Sequence, residues 1–563
     1  MILPRITAWK WAVLLAGLTP VSLTAAVTAS SQGGVVVSGS QESTEAGLEI
    51  LRKGGSAADA AVTVSLMLGV TEPFNSGLGG KLIALYFDAK TGKTSFIDAL
   101  GTAPSGISVK KLARMEPSSR EKGYISACIP GCAAGLGLMH DRWGKLEWKS
   151  CVEPAATAAA NGFELPAKQL VVFKDKLSLI LADKEATRLY VPGGKLPAVG
   201  TRLTNPDLAR TLRTMAAEGA RAFYSGKIAQ QLVDASKAGG GEFSMKDFAR
   251  YEARLTEPLT ADYKGNRIFT SPSPLTGGGI LLLTLKSLEP HEWKNVGPSS
   301  IDRIDLCARV FRQVYPIISR SFADVPKAES DMPGIFKKAT YDSVLSRAMD
   351  DDPARPSLAK NASESSDENL NGNTTHFIIV DREGNIACVS QSLSHHFGAG
   401  VVAPGTGVLL NNDLGNFGFN SPKAPNQIAP GKRPRSTMAP VIVTRDGKPV
   451  LALGSPASQR IPTGVYQVLS SVLDFNTPLA AAVDEPRFHL RQPVTSKARS
   501  NLLDLEKGIA ATTVDGLTGR GWKTDAGTQD TYYFAAVNAV RIQPDGKREA
   551  IGDERRTNWA AGE

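Results

Sequence analysis

Asn373-Thr374-Thr375-His376-Phe377-Ile378-Ile379-Val380 is the stretch on which the reading of this chain turns. It switches abruptly from solvated loop to buried strand, with hydroxyl residues at the switch. Upstream, the run from Pro356 to Asn373 is polar, acidic and almost free of large apolar side chains. Such a composition buries too little surface to offset the entropy of ordering. Downstream, Phe377 to Val380 is a short apolar, β-branched run, the pattern of a buried strand. Asp381 to Asn385 reads as a turn and Ile386 to Leu393 as the returning strand. With the turn centred near Glu383–Gly384, antiparallel pairing sets Thr374 opposite roughly Ser392 to Ser394, hydroxyl beside hydroxyl. A cut between Asn373 and Thr374 would give Thr374 a free α-amine, of ordinary pKa about 8, next to its own Oγ. That amine is a base built into the nucleophile's residue. The same residues also describe a surface loop entering an ordinary strand, and the stretch alone does not choose between the two.

Composition narrows the class. At 563 residues, 42% apolar and 21% charged, the chain is an ordinary globular protein, long for a single core. A formal charge of +9 is mild for this length. No Lys/Arg run is interleaved with aromatics, so nucleic acid is not an expected partner. Residues 1–26 read as a secretory signal: Arg5 and Lys10, then the apolar run Trp11 to Leu23, then small residues Thr24-Ala25-Ala26. The apolar run is shorter than the roughly 20 residues of a membrane span and contains Pro20. A periplasmic or secreted protein is expected. Cys128, Cys132, Cys151, Cys307 and Cys388 are odd in number and sparse, unlike a disulfide scaffold. Neither they nor the scattered histidines show metal-ligand spacing, so no metal and no other cofactor is expected. His395-His396, the one adjacent histidine pair, would point to opposite faces if on a strand.

Along the N-terminal part, Val35 to Ser38 reads as a strand. Ser40 to Gly54 reads as a helix capped by Ser43 or Thr44, and Ser56 to Gly69 as a second, small-residue helix. Glu72 to Gly80 is a glycine-rich loop without the Gly-Lys-Ser/Thr of a phosphate loop, and Leu82 to Phe87 is a strand. Leu208 to Ala217 and Ile301 to Ile318 are amphipathic and read as surface helices over a sheet. Near the C-terminus, Val450 to Ile461 reads as strand, turn and helix start. Within it, the backbone N–H groups of Gly454-Ser455-Pro456-Ala457-Ser458 could converge on an oxyanion. The alternative is a plain helix start with Ser455 as its cap.

Taken together these blocks resemble the γ-glutamyltransferases, also called glutathione hydrolases. The resemblance is carried by Thr374-Thr375-His376-Phe377 and by Glu42 to Val62, Ile129-Pro130-Gly131, Phe223 to Gln231, Pro274 to Ile280, Pro430 to Pro440, Asp484 to His489 and Asp553 to Arg556. Their order extends over nearly the whole mature chain. The resemblance implies an α/β (α+β) fold, the four-layer αββα sandwich of N-terminal-nucleophile hydrolases. It implies a precursor cut between Asn373 and Thr374 into a large-subunit-like region, 27–373, and a small-subunit-like region, 374–563. The two would stay together as a heterodimer of the protein's own chains. Thr374 would be the nucleophile, and Ser392, a Thr in typical members, would orient its Oγ. Ala457 and Ser458 would be the oxyanion pair in place of the usual Gly-Gly, with Ser436, Thr437, Asn416 and Ser394 at the substrate. The implied activity is cleavage of γ-glutamyl amides such as glutathione through an acyl-Thr intermediate. Water or an amino acid or peptide acceptor would take the acyl group.

Some positions depart from the family pattern. Leu100 stands where an Arg clamps the α-carboxylate, Asn416 where an Asp pairs with the α-amine, and Ser394 where an Asn is usual. Each charge-assisted contact is worth roughly 1.5–3 kcal/mol, so losing two would weaken γ-glutamyl binding by about two to four orders of magnitude. Arg435, beside Ser436, is a candidate replacement cation. Two further readings therefore stand beside the first. One is the same fold and nucleophile with altered acyl specificity, a cephalosporin-acylase-like amidase for uncharged or dicarboxylic acyl amides. The other is a relative that binds without catalysis.

Overall fold

Two seven-stranded antiparallel sheets lie face to face, and helices cover their outer sides. The computed structural model describes residues 26–293, 296–325, 332–355, 373–419, 421–491, 500–527 and 532–563. The expected signal, save residue 26, lies outside the described residues, as does the stretch 356–372. In the first sheet the strand order is Trp559–Gly562, Val35–Ser38, Thr375–Val380, Ile386–Ser392, Lys81–Asp88, Lys93–Ala99, Arg254–Thr256. In the second it is Val27–Ser31, Arg548–Gly552, Asn538–Ile542, Lys448–Gly454, Val441–Arg445, Asn266–Thr270, Leu259–Tyr263. The expected αββα sandwich is what the chain forms.

Side-chain alternation builds the layers. Phe377 and Ile379 enter the core beneath the first set of helices, whereas Ile378 and Val380 enter the core shared with the second sheet. A strand buried on both faces has no polar side to show, which is why this segment reads as a continuous apolar run. Gln41–Arg52, Ala57–Thr71 and Cys132–Trp143 pack on the first sheet, and Thr276–Leu288 and Ile461–Asp474 on the second. Between the sheets the imidazole of His376 lies flat against Gly454, where an added Cβ would come within 2.3 Å of the ring. Asn538, on the second sheet, donates to the His376 carbonyl at 2.8 Å. Burial holds the His376 imidazole neutral, with its pKa pushed down to about 3.

Several local expectations need correction. The first helix is Gln41–Arg52 and its cap is Ser40, whose hydroxyl accepts from the Ser43 N–H at 3.1 Å. Ser43 and Thr44 lie inside the helix and are buried, bonded to Thr71 and Ser38. Ile301–Ser321 is no surface helix. Most of its residues are buried, because it packs between Thr276–Leu288 on one side and Lys338–Met349 and Ala511–Gly519 on others. His395 and His396 are not on a strand at all but in the turn beyond Ser392. Ser455 caps no helix. Its hydroxyl donates to the Pro456 carbonyl, and a short 3-10 turn, Ser458–Arg460, leads into the helix. The five cysteines are all buried and unpaired. Among the described residues no helix is long and apolar enough to cross a membrane.

Replacing Gly454 by Ala would force a methyl into the His376 ring. The expected loss is about 1–3 kcal/mol of stability, the usual range for overpacking a close-fitted core. It would appear as a lower denaturation midpoint with unchanged cooperativity.

Candidate active site

Pairing of Thr375 with Gln391 sets the register of the central hairpin. One step further out, Thr374 faces Ser392, and their hydroxyl oxygens are 3.0 Å apart. The Thr374 hydroxyl also reaches Asn373 Oδ1 at 3.1 Å, so one hydrogen has two acceptors within range. Ser392 Oγ is held in turn by the Ser394 N–H at 2.9 Å. The carbonyl of Asn373, on the acyl side of the Asn373–Thr374 bond, accepts from the Ala457 N–H at 3.1 Å. The hydroxyl and the N–H thus meet at a single peptide group. On the far side, Arg556 donates to the Thr374 carbonyl at 3.0 Å and stacks over Tyr532.

The backbone here is strained. Of eight non-glycine residues with positive φ among those described, four surround this point: Thr374 at +85°, Ser394 at +81°, Ala457 at +109° and Ser458 at +51°. Such conformations cost about 1–3 kcal/mol each and persist only where the surroundings impose them. Thr437 braces the Ala457–Ser458 turn by donating to the Ser458 carbonyl at 2.8 Å.

A cleft of about 200 Å³ opens beside Thr374. Asn373, Thr374, Ser392, Ser394, Asn416, Ser436, Thr437 and Ser458 all line it. Ala457 is buried just behind, contributing its N–H. The expected site residues therefore converge. Leu100 does not reach the cleft: it is fully buried in the inter-sheet core.

Three participants were not singled out from the sequence. Lys81 lines the cleft yet is only 2% exposed. It pairs with the buried Asp413 at 2.5 Å and donates to Ser394 Oγ at 3.3 Å. The signal for it was a lysine at the head of an otherwise apolar strand, Lys81–Asp88, one residue before the expected start at Leu82. Asp413 is the second, and Asn416 closes the cluster by donating to Ser394 Oγ at 2.5 Å. The third is Glu72, buried behind the hairpin against Gly39, where a Cβ would sit 2.2 Å from Glu72 Oε2. Burial raises the Glu72 carboxyl from 4.5 to about 7, against the opposing pull of Thr375 and Arg556.

Among the described residues one grouping has metal-ligand proximity: Asp59, His140 and Cys151. Asp59 is already committed to the N–H groups of Ser56, Lys145 and Leu146, and His140 Nε2 bonds the Leu146 carbonyl. These contacts tie the start of Ala57–Thr71 to the turn after Cys132–Trp143, and nothing in them calls for an ion.

Stacked antiparallel sheets with a threonine at the loop-to-strand boundary, hydroxyl-paired and facing a cleft, are the architecture of N-terminal-nucleophile hydrolases. The family model for Gamma-glutamyltranspeptidase matches residues 43–563. The chain is 30% identical over 550 residues to a "Glutathione hydrolase proenzyme" of Bacillus subtilis, covering 94% of this chain and 91% of that one. It is equally 30% identical over 533 residues to the "Acylase ACY 1 proenzyme" of a Pseudomonas species, covering 92% and 91%. A cephalosporin acylase from Bacillus halodurans superposes with a TM-score of 0.84 at 22% identity, over 98% of this chain and all of that one, a likeness of fold. The chain belongs to the gamma-glutamyltranspeptidase family and is an enzyme of that family.

Glu72 makes stability depend on pH. Its folded pKa, about 7, lies above the ordinary 4.5, so between these values the folded state keeps a proton that the unfolded chain has lost. The contribution of Glu72 to stability is full below pH 4.5 and is lost as pH rises through 7, by about 3 kcal/mol in all. Glu72→Gln removes the titration. Its stability relative to the parent should rise by roughly 2–3 kcal/mol between pH 5 and pH 8 in denaturant titrations.

Proposed function

We propose that the chain is a self-processing amidase and acyltransferase with Thr374 as its nucleophile. The observation that carries this is the joint geometry at one peptide: Thr374 Oγ1 is 3.0 Å from Ser392 Oγ, while the Ala457 N–H holds the Asn373 carbonyl at 3.1 Å. In the maturation step Thr374 Oγ adds to the Asn373 carbonyl carbon. The C–N bond breaks, the hydroxyl proton ends on the departing nitrogen, and an ester remains on Oγ. Water cleaves that ester, leaving Asn373 as a carboxylate terminus and Thr374 with a free amine. Release of the strained backbone at Thr374 favours the cut. Regions 27–373 and 374–563 then remain together as a heterodimer, because Val35–Ser38 is hydrogen-bonded between Thr375–Val380 and Trp559–Gly562.

In turnover the Thr374 amine takes the Oγ proton as Oγ attacks an amide carbonyl. The proton passes to the leaving amine, and an acyl-Thr ester is left for water or an amine acceptor. N–H groups of Ala457 and Ser458 stabilise the oxyanion, a contribution of roughly 3–4 kcal/mol per donor in comparable sites. Ser392 orients Oγ, and Ser394, Asn416, Ser436 and Thr437 face the acyl group. The substrate is a small acyl amide. The names of the glutathione hydrolase relatives point first to γ-glutamyl amides. A second reading, altered acyl specificity, is favoured by Leu100, which lies in the core away from the cleft, and by the uncharged Asn416. Export after removal of residues 1–26 is part of the proposal.

On a denaturing gel the purified protein should show two chains, the smaller beginning at Thr374 by terminal sequencing. Thr374→Ala should remain a single chain with no amidase activity. An active, uncut parent protein would exclude this function.

A further inference from the structure

We infer that Lys81, held by Asp413, is a positioning residue for the nucleophile: acting through Ser394 it keeps Ser392 Oγ against Thr374 Oγ, and so sets the rate of self-cleavage and of turnover alike. The inference rests on Thr374 being the nucleophile. Its basis is a row of residues across three neighbouring strands. Thr375–Val380, Ile386–Ser392 and Lys81–Asp88 are consecutive in the first sheet. Ser392 pairs directly with Lys81, and Thr374 lies on its other flank, one step beyond the pairing of Thr375 with Gln391. The ammonium thus stands one strand away from the serine that meets the nucleophile, and all three residues line the cleft.

The contacts that follow link this row to Ser394. Lys81 Nζ pairs with Asp413 Oδ1 at 2.5 Å and donates to Ser394 Oγ at 3.3 Å. Asn416 donates to the same Ser394 Oγ at 2.5 Å, so both lone pairs of that oxygen are taken. Ser394 sits at φ +81°, a conformation that a serine keeps only under outside restraint. Two donors on its side chain supply that restraint, and the backbone so held aims its N–H at Ser392 Oγ at 2.9 Å. Asp413 is anchored in turn. Its N–H donates to Asn411 Oδ1 at 3.0 Å, and Asn411 Nδ2 donates to the carbonyls of Gly79 and Cys128 at 2.7 and 3.0 Å. Gly79 lies two residues before Lys81, so acid and lysine are tied to the same strand end.

Stability does not account for the pair. The side chains of Lys81 and Asp413 are 2% and 0% exposed. Apolar side chains of similar shape would fill such a place with equal or better stability, because neither would give up bound water. What apolar side chains cannot do is donate to Ser394 Oγ. The pair therefore serves the geometry at Thr374, where a displacement of about 1 Å costs roughly a hundred-fold in rate.

The test uses the full chain carrying Lys81→Met and Asp413→Leu together, which removes both charges and leaves neither one bare. In the uncut Thr374→Ala background this pair of changes should leave the denaturation midpoint unchanged or raise it. With Thr374 present, scission of the Asn373–Thr374 bond in freshly translated chain should slow by about ten- to a hundred-fold. That readout involves no substrate, so weaker acyl binding cannot produce it. In the protein that is eventually cut, kcat should fall by a similar factor and KM change far less. The probe is γ-glutamyl or glutaryl p-nitroanilide, whichever the parent turns over faster. Ser394→Ala should slow scission likewise, and adding it to the double variant should cost little more, since both act through one hydroxyl. Scission of the double variant at the parental rate overturns the inference and leaves the nucleophile standing, and so does a rise in KM alone. Should the double variant fail to fold, Ser394→Ala decides: slowed scission supports the inference and parental scission overturns it. Parent protein that is never cut overturns both readings.

Discussion

One hydrogen-bond register holds the site together: Thr375 opposite Gln391 in the central hairpin of the first sheet. Side chains on a strand alternate with a period of two, so a slip by one residue would send every buried side chain to the wrong layer. Here the register is set from both sides. Phe377 and Ile379 belong beneath one helical layer and Ile378 and Val380 against the other sheet. Thr374 sits just past the last paired residue. Its approach to Ser392 follows from packing that occurs several residues away.

The second sheet completes what the hairpin begins. The turn that follows Lys448–Gly454 brings the Ala457 N–H to the Asn373 carbonyl, and the flat contact between His376 and Gly454 keeps the two sheets close enough for it. Ala457 and Ser458 adopt positive φ without being glycine. The fold bears that strain because the turn is braced from outside, by Thr437 on the Ser458 carbonyl. Backbone N–H groups do not depend on the side chain, so Ala457 and Ser458 keep these donors at the cost of strain.

Leu100 lies in the inter-sheet core, and the Asp98 two residues before it pairs with the buried Arg433 at 2.6 Å. Lys81 and Asp413 form a buried ion pair beneath the cleft. Such a pair adds little net stability, because desolvation of both charges offsets their attraction, but it fixes geometry, and losing either partner leaves a bare buried charge. Its effect here is to hold Ser394 and Asn416 in one arrangement next to Ser392.

Much of this was legible in the amino-acid order. The loop-to-strand switch at Thr374, the hairpin and the αββα class follow from local apolar patterning and from motifs that resemble a known family. Convergence of Ser394, Asn416, Ser436 and Thr437 on one cleft was expected from the same motifs. Helix limits were read to within a few residues, and the cap fell on Ser40 because capping depends on where the chain turns rather than on which hydroxyl is available. Lys81, Asp413 and Glu72 were not legible. Each is a charged residue whose burial comes from elements distant in sequence, and burial is what gives it a shifted pKa or a fixed partner. The sequence by itself determined the central hairpin and the place of the threonine, since hairpin pairing acts over short separations, and the layers were implied by the family resemblance. Only the tertiary structure decided the charge of the cleft wall, because that depends on the pairing of Lys81 with Asp413, a residue more than three hundred positions away, behind it.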